Sequence, residues 1–102
     1  MASTPEALVK KKIRAILDAH GVYYAMPIGT GYGNSGVPDF LCCVNGLFFA
    51  IEAKAGKGKT TALQDAHIDR IRKSNGAAVI INEQNIGELP GMLKTMENLR
   101  WK

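Results

Sequence analysis

Asp39, Glu52 and Lys54 lie close together in the middle of this 102-residue chain, and these are residue types that do phosphate chemistry. Two carboxylates offer hard oxygen ligands to a divalent cation, and a neighbouring ammonium can orient water or offset negative charge developing on a phosphoryl group. Their worth depends on what lies between them. Val44-Asn45-Gly46-Leu47 sets an Asn-Gly dipeptide between apolar runs, the signal for a two-residue type I′ hairpin. If Val44 pairs with Leu47, Cys43 faces Phe48, Leu41 faces Ala50, and Asp39 faces Glu52. Directly opposed side chains have Cβ atoms about 4.5–5.5 Å apart, where like charges destabilise, so this register asks for a neutralising cation. Period-2 alternation puts Lys54 on the Glu52 face.

The elements that must hold this cluster follow from punctuation and periodicity. Thr4 as N-cap and Pro5 at the first helical position open a helix running to about His20 and stopped by Gly21. Val9, Ile13, Ile16 and Leu17 form its apolar stripe. Glu6 shares that stripe and is expected to point inward, either completing a buried polar site or favouring the positive helix end. Val22 to Met26 reads as a short strand ended by Pro27. The glycine-rich Gly29–Gly36 segment is read as a connection or as a flap able to approach a phosphate backbone closely. It matches a dinucleotide fingerprint only formally, because Val37-Pro38 leads into a strand and not a helix. Strands at about Phe40–Val44 and Leu47–Lys54 make the hairpin, the second apolar on both faces until Glu52 and hence central. Thr60 or Thr61 caps a helix running to about Asn75, Ala77–Ile81 is a buried strand, and a last helix covers roughly 86–99, perturbed early by Pro90 and Gly91.

On the second helix Gln64, Ile68 and Ile71 share a face, so Gln64 is aimed at the sheet. It either bonds water or substrate in the acidic cluster or reaches solvent at the edge of that face. His67 and His20, with no His or Cys companions, are read as structural. Leu89, Met92, Leu93, Met96, Leu99 and Trp101 give the last helix much apolar surface, either a dimer face or ordinary packing over the sheet.

At this length, with 46% hydrophobic residues and no composition break, residues 1–102 are expected to form one α/β domain. A net charge of +4 with Lys10, Lys11, Lys12 and Arg14 crowded together fits a polyanionic partner. Cys42 and Cys43 are neighbours in a strand and point to opposite faces, so they share neither a metal nor a bond, and both are read as small buried side chains in a reducing compartment. No stretch has the about 18 apolar residues of a membrane span and no apolar signal region opens the chain. The expectation is a soluble protein of the cytoplasm.

The order helix, strand, Pro38-Asp39, hairpin, Glu52-Ala53-Lys54, helix, strand resembles the PD-(D/E)XK nuclease superfamily. More narrowly it is similar to the VRR-NUC (virus-type replication-repair nuclease) family. The resemblance rests on Gly36-Val37-Pro38-Asp39-Phe40, Ile51-Glu52-Ala53-Lys54, the downstream Gln64, Ile68, Ile71 and Gly76, and Glu6 on the first helix. It implies a restriction-endonuclease-like αβββαβ core with a mixed sheet and a C-terminal helix. It further implies hydrolysis of DNA phosphodiesters dependent on Mg²⁺ or Mn²⁺, with Asp39, Glu52 and the backbone carbonyl of Ala53 as metal ligands. In that scheme Lys54 orients water or stabilises developing charge, with Gln64 and Glu6 in support. Stand-alone members, of the sort found in phages and therefore acting in host cytoplasm, and the similar Holliday-junction resolvases imply a homodimer acting on branched DNA in repair. Lys10, Lys11, Arg14, Lys57 and Lys59 are candidate phosphate-backbone contacts, each weighed against a solvated surface charge.

Two other readings remain. A catalytically silent junction-binding module would keep the acids for structure alone. A nucleotide-binding loop is suggested by Gly58-Lys59-Thr60 between strand and helix, although Ala53 stands where such a loop needs its first glycine.

Overall fold

A computed structural model describes residues 4–28 and 35–99. Helix α1 (Pro5–Ala19) begins where Thr4 Oγ1 accepts the Ala7 N–H at 3.1 Å and ends at His20, after which Gly21 takes a φ of 65°. Three strands follow, β1 (Tyr23–Ala25), β2 (Phe40–Val44) and β3 (Leu47–Ala53), then helix α2 (Ala62–Lys73), strand β4 (Ala77–Ile81), a 3-10 turn (Ile86–Glu88) and helix α3 (Leu89–Glu97). This is the expected αβββαβ order with a helix appended. The sheet runs β1-β2-β3-β4, antiparallel across its first two pairings and parallel between β3 and β4. It is therefore mixed, with β3 central.

The hairpin register is the one the bend dictates, from Val44 opposite Leu47 to Phe40 opposite Ile51. Asn45 and Gly46 both take positive φ, 53° and 78°, as a type I′ bend requires. The Asn45 side chain also reaches across to the last helix, where its Nδ2 donates to the carbonyls of Met96 at 3.0 Å and Leu99 at 2.9 Å, closing off the end of α3.

Alternation along the strands sorts the side chains into two layers. Phe40, Cys42, Val44, Phe49, Ile51, Ala53 and Ile81 pack against Val9, Ile13 and Leu17 of α1 and Leu89 and Leu93 of α3, forming the main core. Ala50 and Ala78 on the opposite face meet Ile68 of α2, with Leu41 and Ile71 alongside. The apolar stripe of α3 is thus spent on the sheet: Leu89 and Leu93 are fully buried, and Met92 and Met96 pack against the same core. Most of the apolar surface considered for a dimer face on this helix is therefore taken up by ordinary packing over the sheet. Only Leu99 is exposed among the described residues of that set, and Trp101 lies outside them.

The reading of both cysteines as buried needs correction. Cys42 is buried, and desolvation pushes its thiol up to about 12. Cys43 is exposed, in a cross-strand row between Tyr23 and Phe48, themselves exposed. α2 lies over β4 and β3 and leaves this row open. Of the glycine-rich segment, residues 29–34 fall outside the described residues, so the flap reading does too. Among the described residues no helix is long and apolar enough to cross a membrane.

Candidate active site

The ladder between β2 and β3 ends at Phe40 and Ile51, one pair short of Asp39 and Glu52. At Asp39 the chain bends out of the strand, and its Oδ2 accepts the Ala53 N–H at 2.9 Å. The two acids are consequently not a directly opposed pair as the register alone suggests. A side-chain oxygen has taken over the end of the ladder, which pins the Asp39 carboxylate beside the Glu52-Ala53-Lys54 segment.

The sequence before Asp39 explains how the bend is held. Gly36 has a φ of 87°, and a Cβ built there would lie 2.6 Å from the carbonyl carbon of Leu63 and 2.9 Å from the amide nitrogen of Gln64. No side chain fits, so the segment leading to Asp39 lies directly on the first turn of α2. Pro38 is fully buried behind it.

Glu52 is the one buried charged residue among the described residues, 2% exposed. Its Oε2 accepts the Gln64 Nε2–H at 2.9 Å and lies 3.3 Å from Lys54 Nζ, whose side chain is 12% exposed. Its Oε1 is buried with no hydrogen-bond partner. Burial, and next the charge of Asp39, push the Glu52 carboxyl from 4.5 up to about 7, with Lys54 pulling the other way. An acid so placed needs a proton or a cation near neutral pH.

Gln64 joins the site to the start of α2. Thr61 is the N-cap; its Oγ1 accepts the Gln64 N–H at 3.2 Å, and its own N–H donates to Gln64 Oε1 at 2.9 Å, a complete capping box. With the amide oxygen so committed, the amide nitrogen is turned toward Glu52. Gln64 thus reaches the acidic cluster by bonding a carboxylate rather than water, and the solvent-facing alternative falls away.

Both acids carry a lysine. Lys54 attends Glu52, and Lys10 on α1 brings its Nζ to 3.3 Å from Asp39 Oδ1. Lys10, a candidate phosphate-backbone contact, thus also pairs with Asp39 at the site. The signal was in the helix spacing, since Lys10 stands three and seven residues before Ile13 and Leu17 and so flanks the buried stripe. Glu6, expected to point inward, is instead 43% exposed, with Oε2 3.9 Å from Lys10 Nζ. It reaches the site, among the described residues, through Lys10. Among the described residues no three His, Cys, Asp or Glu side chains converge as a metal-binding group.

The remaining candidate backbone-contact residues lie in two places. Lys11 and Arg14 are exposed and with Lys10 line a groove of about 510 Å³ between α1 and Met26. The Tyr24 hydroxyl raises the Arg14 guanidinium and also donates to Asp18 at 2.8 Å. Lys57 and Lys59 are exposed on the turn between β3 and α2. That turn is not a phosphate cradle. The Gly58 N–H is spent on the Ala55 carbonyl, and the Gly56 N–H is held by the Glu83 carboxylate at 3.0 and 3.2 Å. Its own backbone N–H and that of Gly56 lower the Glu83 carboxyl. A phosphate-binding loop needs free amides and no acid among them. His20 pairs with Glu97 at 3.1 Å, tying α1 to α3, and His67 borders a shallow groove with Phe48 and Arg70.

The donor set suits a hard divalent cation. Glu52 Oε1 is a buried oxygen without a donor, and the Asp39 carboxylate and Ala53 backbone stand beside it. Such ions take carboxylate and carbonyl oxygens and complete their shells with water. Comparison with models of protein families and with curated proteins finds no match to this chain.

Proposed function

We propose that this chain is a divalent-metal-dependent DNA endonuclease of the VRR-NUC type within the PD-(D/E)XK superfamily, working as a homodimer on branched DNA such as four-way junctions or flaps. The observation that carries the reading is the bare Glu52 Oε1, buried beside Asp39 and Lys54 on a site that a basic groove adjoins. Asp39, Glu52 and the Ala53 carbonyl would hold Mg²⁺ or Mn²⁺, which when bound supplies positive charge to a phosphoryl oxygen and makes a water more acidic.

The chain's own residues do the rest. Lys54 is largely buried and keeps its ammonium next to Glu52, where it orients the attacking water or offsets charge on the phosphorane. Gln64, fixed at its oxygen by the Thr61 N–H, holds the Glu52 carboxylate in one rotamer. Asp39 is held by the Ala53 N–H. Lys11 and Arg14, with Lys57 and Lys59, contact the phosphate backbone without reading sequence. A twofold dimer offers two such sites to a symmetric junction.

The test is cleavage of single-stranded, duplex, flap and four-way DNA with Mn²⁺, together with a solution mass. Asp39→Asn and Lys54→Ala should abolish cutting while folding and DNA binding persist. Cutting at the wild-type rate by both variants refutes the reading.

One observation favours a silent junction-binding module: Lys10 and Lys54 already balance the two acids. Melting scans with Mn²⁺ and with EDTA separate the readings, since an ion bound only by the folded state raises the midpoint. An unchanged midpoint at millimolar Mn²⁺ supports the silent module.

A further inference from the structure

We infer that Lys10 is a displaceable internal counter-cation that sets the divalent-metal affinity of the Asp39–Glu52 site. The inference rests on the metal-binding reading above and goes beyond it by giving Lys10 a role opposed to metal loading.

The two carboxylates meet a cation differently. The side-chain donors Gln64 and Lys54 both meet Glu52 at Oε2 and leave Oε1 without a hydrogen bond, while the Asp39 backbone N–H also favours the charged carboxylate. Both Asp39 oxygens are engaged: Oδ2 accepts the Ala53 N–H, and Oδ1 faces the Lys10 ammonium at 3.3 Å. An ion entering at Glu52 Oε1 and reaching Asp39 Oδ1 therefore competes with the Lys10 ammonium for that oxygen. The Lys10 side chain is 34% exposed and that of Asp39 20%, so the pair is partly solvated and weaker than a buried one. The displaced ammonium also has somewhere to go, because Glu6 sits one turn earlier on α1 with Oε2 already 3.9 Å from Nζ. Glu6 thus serves the site as the resting place of Lys10, which accounts for an acid that lies near the cluster without joining it. Lys10 also lines the groove with Lys11 and Arg14, so a released ammonium stays where a phosphate would pass. Lys10 is a positioning residue: it acts on the metal through Asp39.

The experiment is calorimetric titration of the metal-free 102-residue chain with Mn²⁺. Lys10→Met should tighten Mn²⁺ binding about two- to five-fold, the range a partly solvated ion pair allows. Lys10→Arg, which keeps the charge in reach of Asp39, should hold the wild-type affinity. Lys12→Met makes the same change in net charge two residues along the helix, and it should leave the affinity within error of wild type. Unchanged or weaker binding in Lys10→Met overturns the inference, as does equal tightening in Lys12→Met, which would trace the effect to the field of the whole chain. Either result leaves the nuclease reading standing. Failure of the wild-type chain to bind Mn²⁺ at all removes both.

Discussion

Replacing Glu52 by Gln tests the electrostatics of the site without any substrate. In the folded chain the Glu52 carboxyl is raised from 4.5 to about 7 by burial and by Asp39. Between those values the native state binds a proton that the unfolded chain has released, so stability falls as pH rises through the window. The contribution is fully present below pH 4.5 and gone above about 7. Each tenfold in proton affinity is about 1.4 kcal/mol, which gives a loss of roughly 3 kcal/mol across the window. For a domain this size that is on the order of 15 °C in Tm. Gln at position 52 keeps the shape and an acceptor for Gln64 and Lys54 but has no proton to release. The charge lost opposite Lys54 shifts the whole curve by a constant and leaves the slope as the observable. Melting curves in EDTA from about pH 5 to about pH 8 should therefore fall more steeply for wild type than for Glu52→Gln. Mn²⁺ should flatten the wild-type profile, because the ion replaces the proton, and should leave the variant unaffected. Parallel profiles for the two proteins in EDTA would refute the assignment of Glu52 as an acid strained by its burial.

Three further outcomes are expected. Gly36→Ala adds a Cβ 2.6 Å from the Leu63 carbonyl carbon at a φ of 87°; it should destabilise by about 1–3 kcal/mol or more and, by displacing Asp39, reduce the Mn²⁺-induced rise in Tm. Gln64→Ala removes both a capping-box partner and the amide donor to Glu52, costing about 1–3 kcal/mol in urea denaturation, whereas Leu63→Ala on the exposed face of the same turn should change little. Joint replacement of Lys11 and Arg14 by Gln should lower the slope of log affinity against log salt for duplex DNA by about 2 while leaving Mn²⁺ affinity alone; an unchanged slope would show that the groove along α1 does not carry the backbone.

What was legible in the chain follows from how local each cause is. The hairpin register needed only Asn45-Gly46 and the flanking apolar runs, so β2, β3 and the pairing of Leu41 with Ala50 could be read without structure. The unbroken apolar Ala77–Ile81 run gave β4 its bounds, although only Ala78 and Ile81 are buried and Ile80 is exposed, so the expectation of a wholly buried strand was too strong. The last step at the site was not local. Opposing Asp39 to Glu52 assumes that the ladder continues, but Gly36 and Pro38 turn the chain against α2 first, and the Ala53 N–H takes the carboxylate instead. Glu6 and Lys10 share one edge of the α1 stripe, and the periodicity that places both there does not say which of the two reaches Asp39. A long lysine spans that gap where the shorter acid stays half exposed. For Cys43, alternation tells which face the residue takes and not whether a helix covers that face.

Asn45 is chosen by its bend for a backbone reason, yet its amide also fastens carbonyls 51 and 54 positions downstream. The hairpin tip and the tail of the chain are mechanically one piece. Trimming the protein before Met96 would do more than shorten its final helix: it would strip both of these acceptors from a turn at the opposite end of the sheet from the acids. Damage at the carboxyl terminus would then register first as a loosened bend near the middle of the sequence.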